Sequence, residues 1–308
     1  MTTFNFQHLK TPPRYKKGML VIISDDGYRA DYTHWFQLFQ QKNKQYNSWA
    51  KNAVPFCPAV NTSRINKASG MTSDQLNEIQ RSGGEILSHG HNHIGFLPHK
   101  VNSPLSSGTK SFKIADAGRI FGMPVEYVLS DGVNSEVVTI ISRENVNSST
   151  IGEIVLDKPI VNSYNESATV QATEFTMRNE WEVCIDLLAS WGLNCNHHVW
   201  PYNQVGEPFK TLSKEYFTSA SGEGNPPVNE SESVDFYDLN RRNITAMSNA
   251  QINDVLLNVA SSGGVAIIYG HAETDAATLS KWEYAIDRCI ELGIKIATIS
   301  EAVNYLKS

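Results

Sequence analysis

The sequence predicts an α/β protein organised on a parallel sheet, open or closed into a barrel, and interrupted by a β-rich insertion. Two observations carry this. Short β-branched runs alternate with longer amphipathic stretches along most of the chain, and such alternation builds parallel sheets because each crossover needs a helix. Between about residues 98 and 171 the helical period vanishes, and Ser, Asn, Gly and β-branched residues take over. A length of 308 residues accommodates one barrel plus an insertion, with 1–97 and 172–308 forming the α/β unit and 98–171 the insertion.

The runs expected as strands are 19–24, 54–60, 85–88, 196–200, 216–219, 265–269 and 294–299. Between them lie expected helices. Residues 30–46 place Trp35, Leu38 and Phe39 on one face; 72–81 open on Thr72-Ser73-Asp74, a capping sequence, and stop at Gly83-Gly84. Residues 174–191 stack Trp181, Ile185 and Leu188 at helical spacing, and 249–260 and 279–292 complete the set. In the insertion, 123–129, 137–141, 153–156 and 168–171 read as strands separated by turns such as Ser130-Asp131-Gly132. The segment 221–233, rich in Gly and Pro, reads as an irregular loop across the mouth of the barrel.

Composition narrows the function classes. With 41% hydrophobic and 19% charged residues the chain is an ordinary globular protein, and a net charge of -6 argues against a sequence-independent nucleic-acid binder. Cys57, Cys184, Cys195 and Cys289 fall in no CxxC pair, so free, mostly buried thiols are expected rather than a zinc knot. The first ten residues lack the basic-then-apolar order of a secretion signal, and no apolar run is long enough to span a bilayer. The expectation is a cytoplasmic protein or one that leaves the cell without a signal, for instance on a virion.

Three short motifs carry chemistry. Ile22-Ile23-Ser24-Asp25-Asp26-Gly27 ends an apolar strand on adjacent carboxylates, at the end of the sheet where catalytic groups collect. One carboxylate can ligate a cation while the other stays free as a base; alone, the motif reads more readily as a strand-ending turn with an Asp helix cap. Ser88-His89-Gly90-His91-Asn92-His93 follows another strand. Three histidines within five residues are improbable as packing, and His89 and His93, four apart, would aim both imidazoles at one point if they shared a helical turn. With a distant Asp they make a two-His-one-carboxylate set suited to zinc and its first-row neighbours. Tyr269-Gly270-His271 ends a late strand on a single histidine that could protonate a leaving group if it reaches the same mouth.

Asp25-Asp26-Gly27, His89-x-x-x-His93, Trp200-Pro201-Tyr202 and His271, in that order, resemble the motifs of the polysaccharide deacetylases (NodB homology, carbohydrate esterase family 4) over about residues 18–96 and 174–300. The resemblance implies a distorted (β/α) barrel of about seven strands and removal of N- or O-linked acetyl groups from a glycan. It implies Asp26, His89 and His93 as ligands of one divalent cation, zinc first, cobalt or nickel next. It also implies Asp25 as general base, His271 as general acid and the Tyr202 main-chain N–H as oxyanion donor. Where the family often has an arginine the chain has Val199, and Arg241, with Arg242 beside it, stands as the substitute that would hold Asp25. Asp235 and Asp238 are the candidates to steer His271. Gly90 replaces the usual Ser or Thr, and Ile23-Ser24 the usual Thr-Phe. Trp200, Tyr202 and the Tyr28–Tyr32 region are candidate sugar-stacking faces. Two other classes compete: an amidohydrolase-type hydrolase using His89-Gly90-His91, and a glycan-binding or virion-attached module without catalysis, whose signature would be a missing base or ligand.

Overall fold

The structure, a computed structural model, describes residues 18–46, 54–144 and 151–308; the N-terminal segment inspected above for a secretion signal lies outside them. Its strands are β1 (Met19–Ser24), β2 (Cys57–Val60), β3 (Leu87–Ser88), β4 (His99–Lys100), β5 (Ser111–Ala115), β6 (Val125–Ser130), β7 (Ser135–Glu144), β8 (Ile151–Leu156), β9 (Thr169–Ala172), β10 (His197–Val199), β11 (Ser219–Glu223), β12 (Val228–Asn229), β13 (Leu239–Asn243), β14 (Val265–Gly270) and β15 (Lys295–Ala297). Seven of them run parallel in the order β1-β2-β3-β10-β11-β13-β14, and β14 pairs with β1 to close a barrel. β15 adds in parallel to β1 from outside, and β12 lies antiparallel on β14.

The number of barrel strands agrees with the expectation, but the membership differs. The run at 294–299 is β15, outside the closed ring, and its last residue already begins a helix. The missing member is β13, whose sequence Leu-Asn-Arg-Arg-Asn looks like loop because a buried arginine takes an interior position. The expected strand at 216–219 begins only at Ser219 and continues to Glu223, so the expected loop at 221–233 is partly strand, β11 at its start and β12 within it.

Side-chain alternation explains why the apolar strands tolerate no polar residue until their ends. Val21 and Ile23 of β1, Val265 and Ile267 of β14, Val199 and Leu239 form the interior cluster. Leu20, Ile22, Ala266 and Ile268 point the other way, into the surrounding helices. Those helices are α1 (Gln37–Tyr46), which follows a π-helical turn at Asp31–Phe36, α2 (Ser73–Arg81), α3 (Glu174–Ser190), α4 (Phe209–Ser213), α5 (Asn249–Ser262), α6 (Ala276–Leu292) and α7 (Ile299–Lys307). Ile299, Ala302, Val303 and Leu306 of α7 join the interior cluster and plug one end of the barrel. Thr72 caps α2 in a reciprocal box with Gln75, the cap expected from sequence. Among the described residues no helix is long and apolar enough to cross a membrane, and all four cysteines are free.

Residues 99–172 carry a separate antiparallel sheet, β4-β9-β6-β7-β8-β5. Its core does not stop at the sheet. Tyr127, Leu129, Ile140 and Ile154 share one cluster with Met177 and Trp181 of α3 and with Trp200, Phe209 and Phe217. Trp200, a candidate sugar platform by sequence, is wholly buried there and donates its indole N–H to the Tyr237 carbonyl at 3.1 Å. Each such aromatic is worth about 2–3 kcal/mol of apolar burial. Replacing residues 98–171 by a short linker would uncover several of them at once. We expect that variant to lose its cooperative thermal transition, read by near-ultraviolet circular dichroism; a sharp transition in the shortened chain would show that the sheet is a separable unit.

Candidate functional site

The alternation that fills the barrel also aims its polar ends. Continuing Val21 and Ile23 by two gives Asp25; continuing Leu239 gives Arg241; continuing Ile267 and Tyr269 gives His271. All three reach the C-terminal mouth, where Asp25 is 1% and Arg241 1% exposed. Asp26, His89 and His93 meet beside them, with one donor atom from each within 4.8 Å of the others. His89 Nε2 and His93 Nε2 are 3.1 Å apart, and Asp26 Oδ1 stands 3.6 Å from the first and 3.4 Å from the second.

These separations fit a cation. Tetrahedral ligands held at 2.0–2.1 Å from zinc stand about 3.3 Å apart. The groups behind them fit as well. His89 Nδ1 donates to the Val199 carbonyl at 2.7 Å, which leaves Nε2 bare, and Asn61 Nδ2 donates to Asp26 Oδ1 at 3.0 Å. Burial depresses both imidazoles, His93 to about 3 despite the opposing pull of Asp26, so both are neutral near pH 7, as ligation requires.

Asp25 is held apart from that set. Arg241 Nη1 donates to its Oδ1 at 2.7 Å and its Oδ2 at 2.8 Å. Burial alone would raise the Asp25 carboxyl, but Arg241 foremost, then His89 and His271, pull it below the usual carboxylate range. Asp31 supplies the contrast: equally buried but with no guanidinium beside it, it is raised well above that range by burial. Arg241 is itself fixed from two sides. Its Nε donates to Asn203 Oδ1 at 3.1 Å, and its guanidinium lies 3.9 Å over the Tyr269 ring. Asn203 in turn donates to the Tyr269 hydroxyl at 2.8 Å. Arg242, the adjacent alternative, turns away to Asn225.

Other expected residues are placed as follows. His271 Nε2 lies 3.7 Å from Asp25 Oδ2, its side chain 45% exposed, and its main-chain N–H donates to Glu273 Oε1 at 2.6 Å. Asp235 pairs with Lys210 at 2.8 Å, and among the described residues neither it nor Asp238 bonds His271. Tyr202 takes a left-handed backbone, φ 57°, and its ring packs 4.4 Å from that of His93. His91 turns to Thr62, Nδ1 to Oγ1 2.8 Å, and takes no part in the donor cluster, so His89 and His91 do not act as a pair.

The helical turn that would aim both rings at one point is not what forms over 89–93. The segment is an irregular loop in which Gly90 has φ 79° and His93 φ 61°. Spacing four apart suggested a helix; the fold brings the rings together by a different path. Its cause is Glu180 of α3, 2% exposed, whose carboxylate accepts the main-chain N–H of Asn92 and its side-chain amide. A Cβ at residue 90 would stand 2.8 Å from Glu180 Oε1, so Gly90 serves both its backbone and the room this carboxylate needs. Glu180, Asn203 and Asn61 went unnoticed in the sequence. The one signal was Glu180 on the apolar side of a predicted helix, one place before Trp181.

No protein-family model and no curated protein matches the chain. Among solved structures it is similar to a family 4 carbohydrate esterase from Streptomyces lividans, with TM-score 0.48 and 9% identity over 91% of this chain and 92% of that one. It is similar also to the peptidoglycan deacetylase PdaC from Bacillus subtilis, with TM-score 0.47 and 12% identity over 94% and 92%. A third is BA3943, a CE4 family pseudoenzyme from Bacillus anthracis, with TM-score 0.47 and 9% identity over 94% and 68%.

Burial pushes the Glu180 carboxyl up to about 7 from 4.5, ahead of the opposing N–H donors. Between those values the unfolded chain has released a proton that the folded chain keeps, so stability falls as pH rises through the interval. Glu180→Gln removes that dependence. Relative to the Gln variant, the metal-free wild type should lose on the order of 2–3 kcal/mol between about pH 5 and pH 8. Urea melts across that range check it, and parallel profiles for the two proteins would contradict it.

Proposed function

We propose that this chain is a metal-dependent carbohydrate deacetylase. The observation that carries the reading is the convergence, at one end of a parallel barrel, of a two-His-one-Asp donor set and a separate aspartate gripped by a guanidinium. The ordered motifs of the polysaccharide deacetylases fall on the same residues. A donor set by itself would suit many proteins; a second carboxylate kept ionised and out of that set is what water activation needs.

Asp26, His89 and His93 would hold the cation. When bound, a divalent cation supplies Lewis-acid polarisation of the acetyl carbonyl and acidifies water. Asp25 accepts the water's proton; Arg241 keeps its carboxylate in one orientation and ionised. The Tyr202 main-chain N–H is assigned to the negative charge that develops on the acetyl carbonyl oxygen. His271, beside Asp25 yet open to solvent, donates a proton to the departing nitrogen or oxygen, and acetate leaves. A glycan-binding module that had lost catalysis would lack one of these groups, and each is present.

Two outcomes are expected. Acetate release from an acetylated glycan should stop on chelation and return with zinc or cobalt. Asp25→Asn should keep metal content and lose about 10²–10⁴ in kcat, whereas Asp26→Asn should lose metal. Equal metal loss in both variants would refute the division of labour. Separately, Arg241→Ala removes the largest of the influences that oppose burial at Asp25, so the acidic limb of the kcat/KM profile should move upward by about 1–3 pH units with metal content unchanged. An unmoved limb would remove Arg241 from the role.

A further inference from the structure

Two aromatic rings flank the donor cluster, and each is covered by an arginine. The Arg64 guanidinium lies 4.0 Å over the Tyr28 ring, which follows Asp25-Asp26-Gly27 directly. The Arg119 guanidinium lies 4.9 Å over the Tyr202 ring, which itself packs on His93. A third, Arg143, lies 4.1 Å over Phe121 and donates to the Ala117 carbonyl at 3.1 Å, in the same turn as Arg119. Among the described residues Arg64 and Arg143 form no ion pair, and Arg119 has only Asp116 at 3.7 Å. Elsewhere in the described chain, Arg178, Arg241 and Arg288 each meet a carboxylate within 2.9 Å, while Arg29, Arg81 and Arg242 form no ion pair. Three half-buried guanidinium groups, two of them without an ion pair and the third with a carboxylate only at 3.7 Å, therefore gather beside the site in a chain of net charge -6.

Stacking on a ring fixes the guanidinium plane while leaving its edge N–H donors free, the geometry that takes a carboxylate in a fork. The insertion is built to deliver two of them. Gly95, two residues after His93, donates its N–H to the Arg119 carbonyl at 2.7 Å, and a Cβ there would stand 2.7 Å from Arg119 Cβ. The turn bearing Arg119 thus packs directly on the histidine loop.

We propose that the site takes an acidic glycan, an acetylated chain whose neighbouring sugars carry carboxylates that Arg64 and Arg119 receive, with Arg143 adding to the field. This rests on the deacetylase reading for the acetyl group, but the charge preference is measurable without turnover. Binding of metal-free protein to acetylated polygalacturonate and to acetylated xylan, one acidic and one neutral, is compared by affinity electrophoresis at about 50 mM and about 0.5 M salt. The acidic glycan should bind roughly tenfold more tightly at low salt, and the preference should shrink at high salt and in an Arg64→Gln, Arg119→Gln double variant. Arg119→Lys, which keeps the charge without the fork, should retain part of it. Equal affinity for the two glycans, or a preference that survives both salt and the double variant, overturns the proposal; if the double variant fails to fold, the wild-type salt dependence and the Lys variant decide. Acidic binding without acetate release from any glycan would instead remove the deacetylase reading and leave the recognition standing.

Discussion

The interior of a closed barrel is a poor place for a carboxylate, and the arrangement of this site follows from how the chain solves that problem at Asp25. An isolated charge buried to this depth is strongly disfavoured, and burial raises the Asp31 carboxyl a few residues away well above the usual carboxylate range. Arg241, from the opposite part of the chain, reverses the outcome by giving one nitrogen to both oxygens. The guanidinium has its own desolvation to offset. Asn203 accepts from its Nε and the Tyr269 ring lies beneath its plane, so the pair is a four-residue unit rather than a lone ion pair. Removing one member of such a buried pair leaves an uncompensated charge, at a cost of about 3–5 kcal/mol.

That unit divides the mouth of the barrel. On one side Asp25 is engaged by Arg241; on the other Asp26, its neighbour in sequence, faces two imidazoles and Asn61. Adjacent residues can serve different partners because the backbone turns sharply between them, Asp26 having φ 77°. His93, Tyr202 and Asn203 share this left-handed conformation, so four of the non-glycine residues that adopt it border one site. Such residues persist only where the surroundings over-determine them. Here the surroundings are identifiable: Glu180 grips the histidine loop, and Asn203 is bonded to both Arg241 and Tyr269.

The antiparallel sheet belongs to the same account. Its Tyr127 hydroxyl donates to the Gly95 carbonyl at 3.1 Å, and a Cβ at Gly122 would stand 2.5 Å from the Asn92 side chain. The inserted residues therefore also pack on the loop that carries His93, and share a core with α3, from which Glu180 projects. Support for the ligand loop is thus shared between the inserted sheet and α3, the helix that directly follows it.

Local order was legible from residues alone. Short β-branched apolar runs located β1, β3, β10 and β14, helical spacing and caps located α2 and α3, and loss of the helical period marked the second sheet. The order of Asp25-Asp26, His89-x-x-x-His93, Tyr202 and His271 selected the residues that the fold then gathers. β13 was missed because strands are recognised by apolar alternation, and its interior position holds an arginine whose partner lies 216 residues earlier. The path of residues 89–93 was not legible because a helical turn and an irregular loop can bring the same two rings together, and Glu180, 88 residues later, holds the loop. The sequence by itself determined which chemical groups were available and the local turns that present them. Only tertiary structure decided which carboxylate stays ionised, which faces the imidazoles and which loop conformation survives, because each depends on burial and on a partner that barrel closure brings from a distant part of the chain.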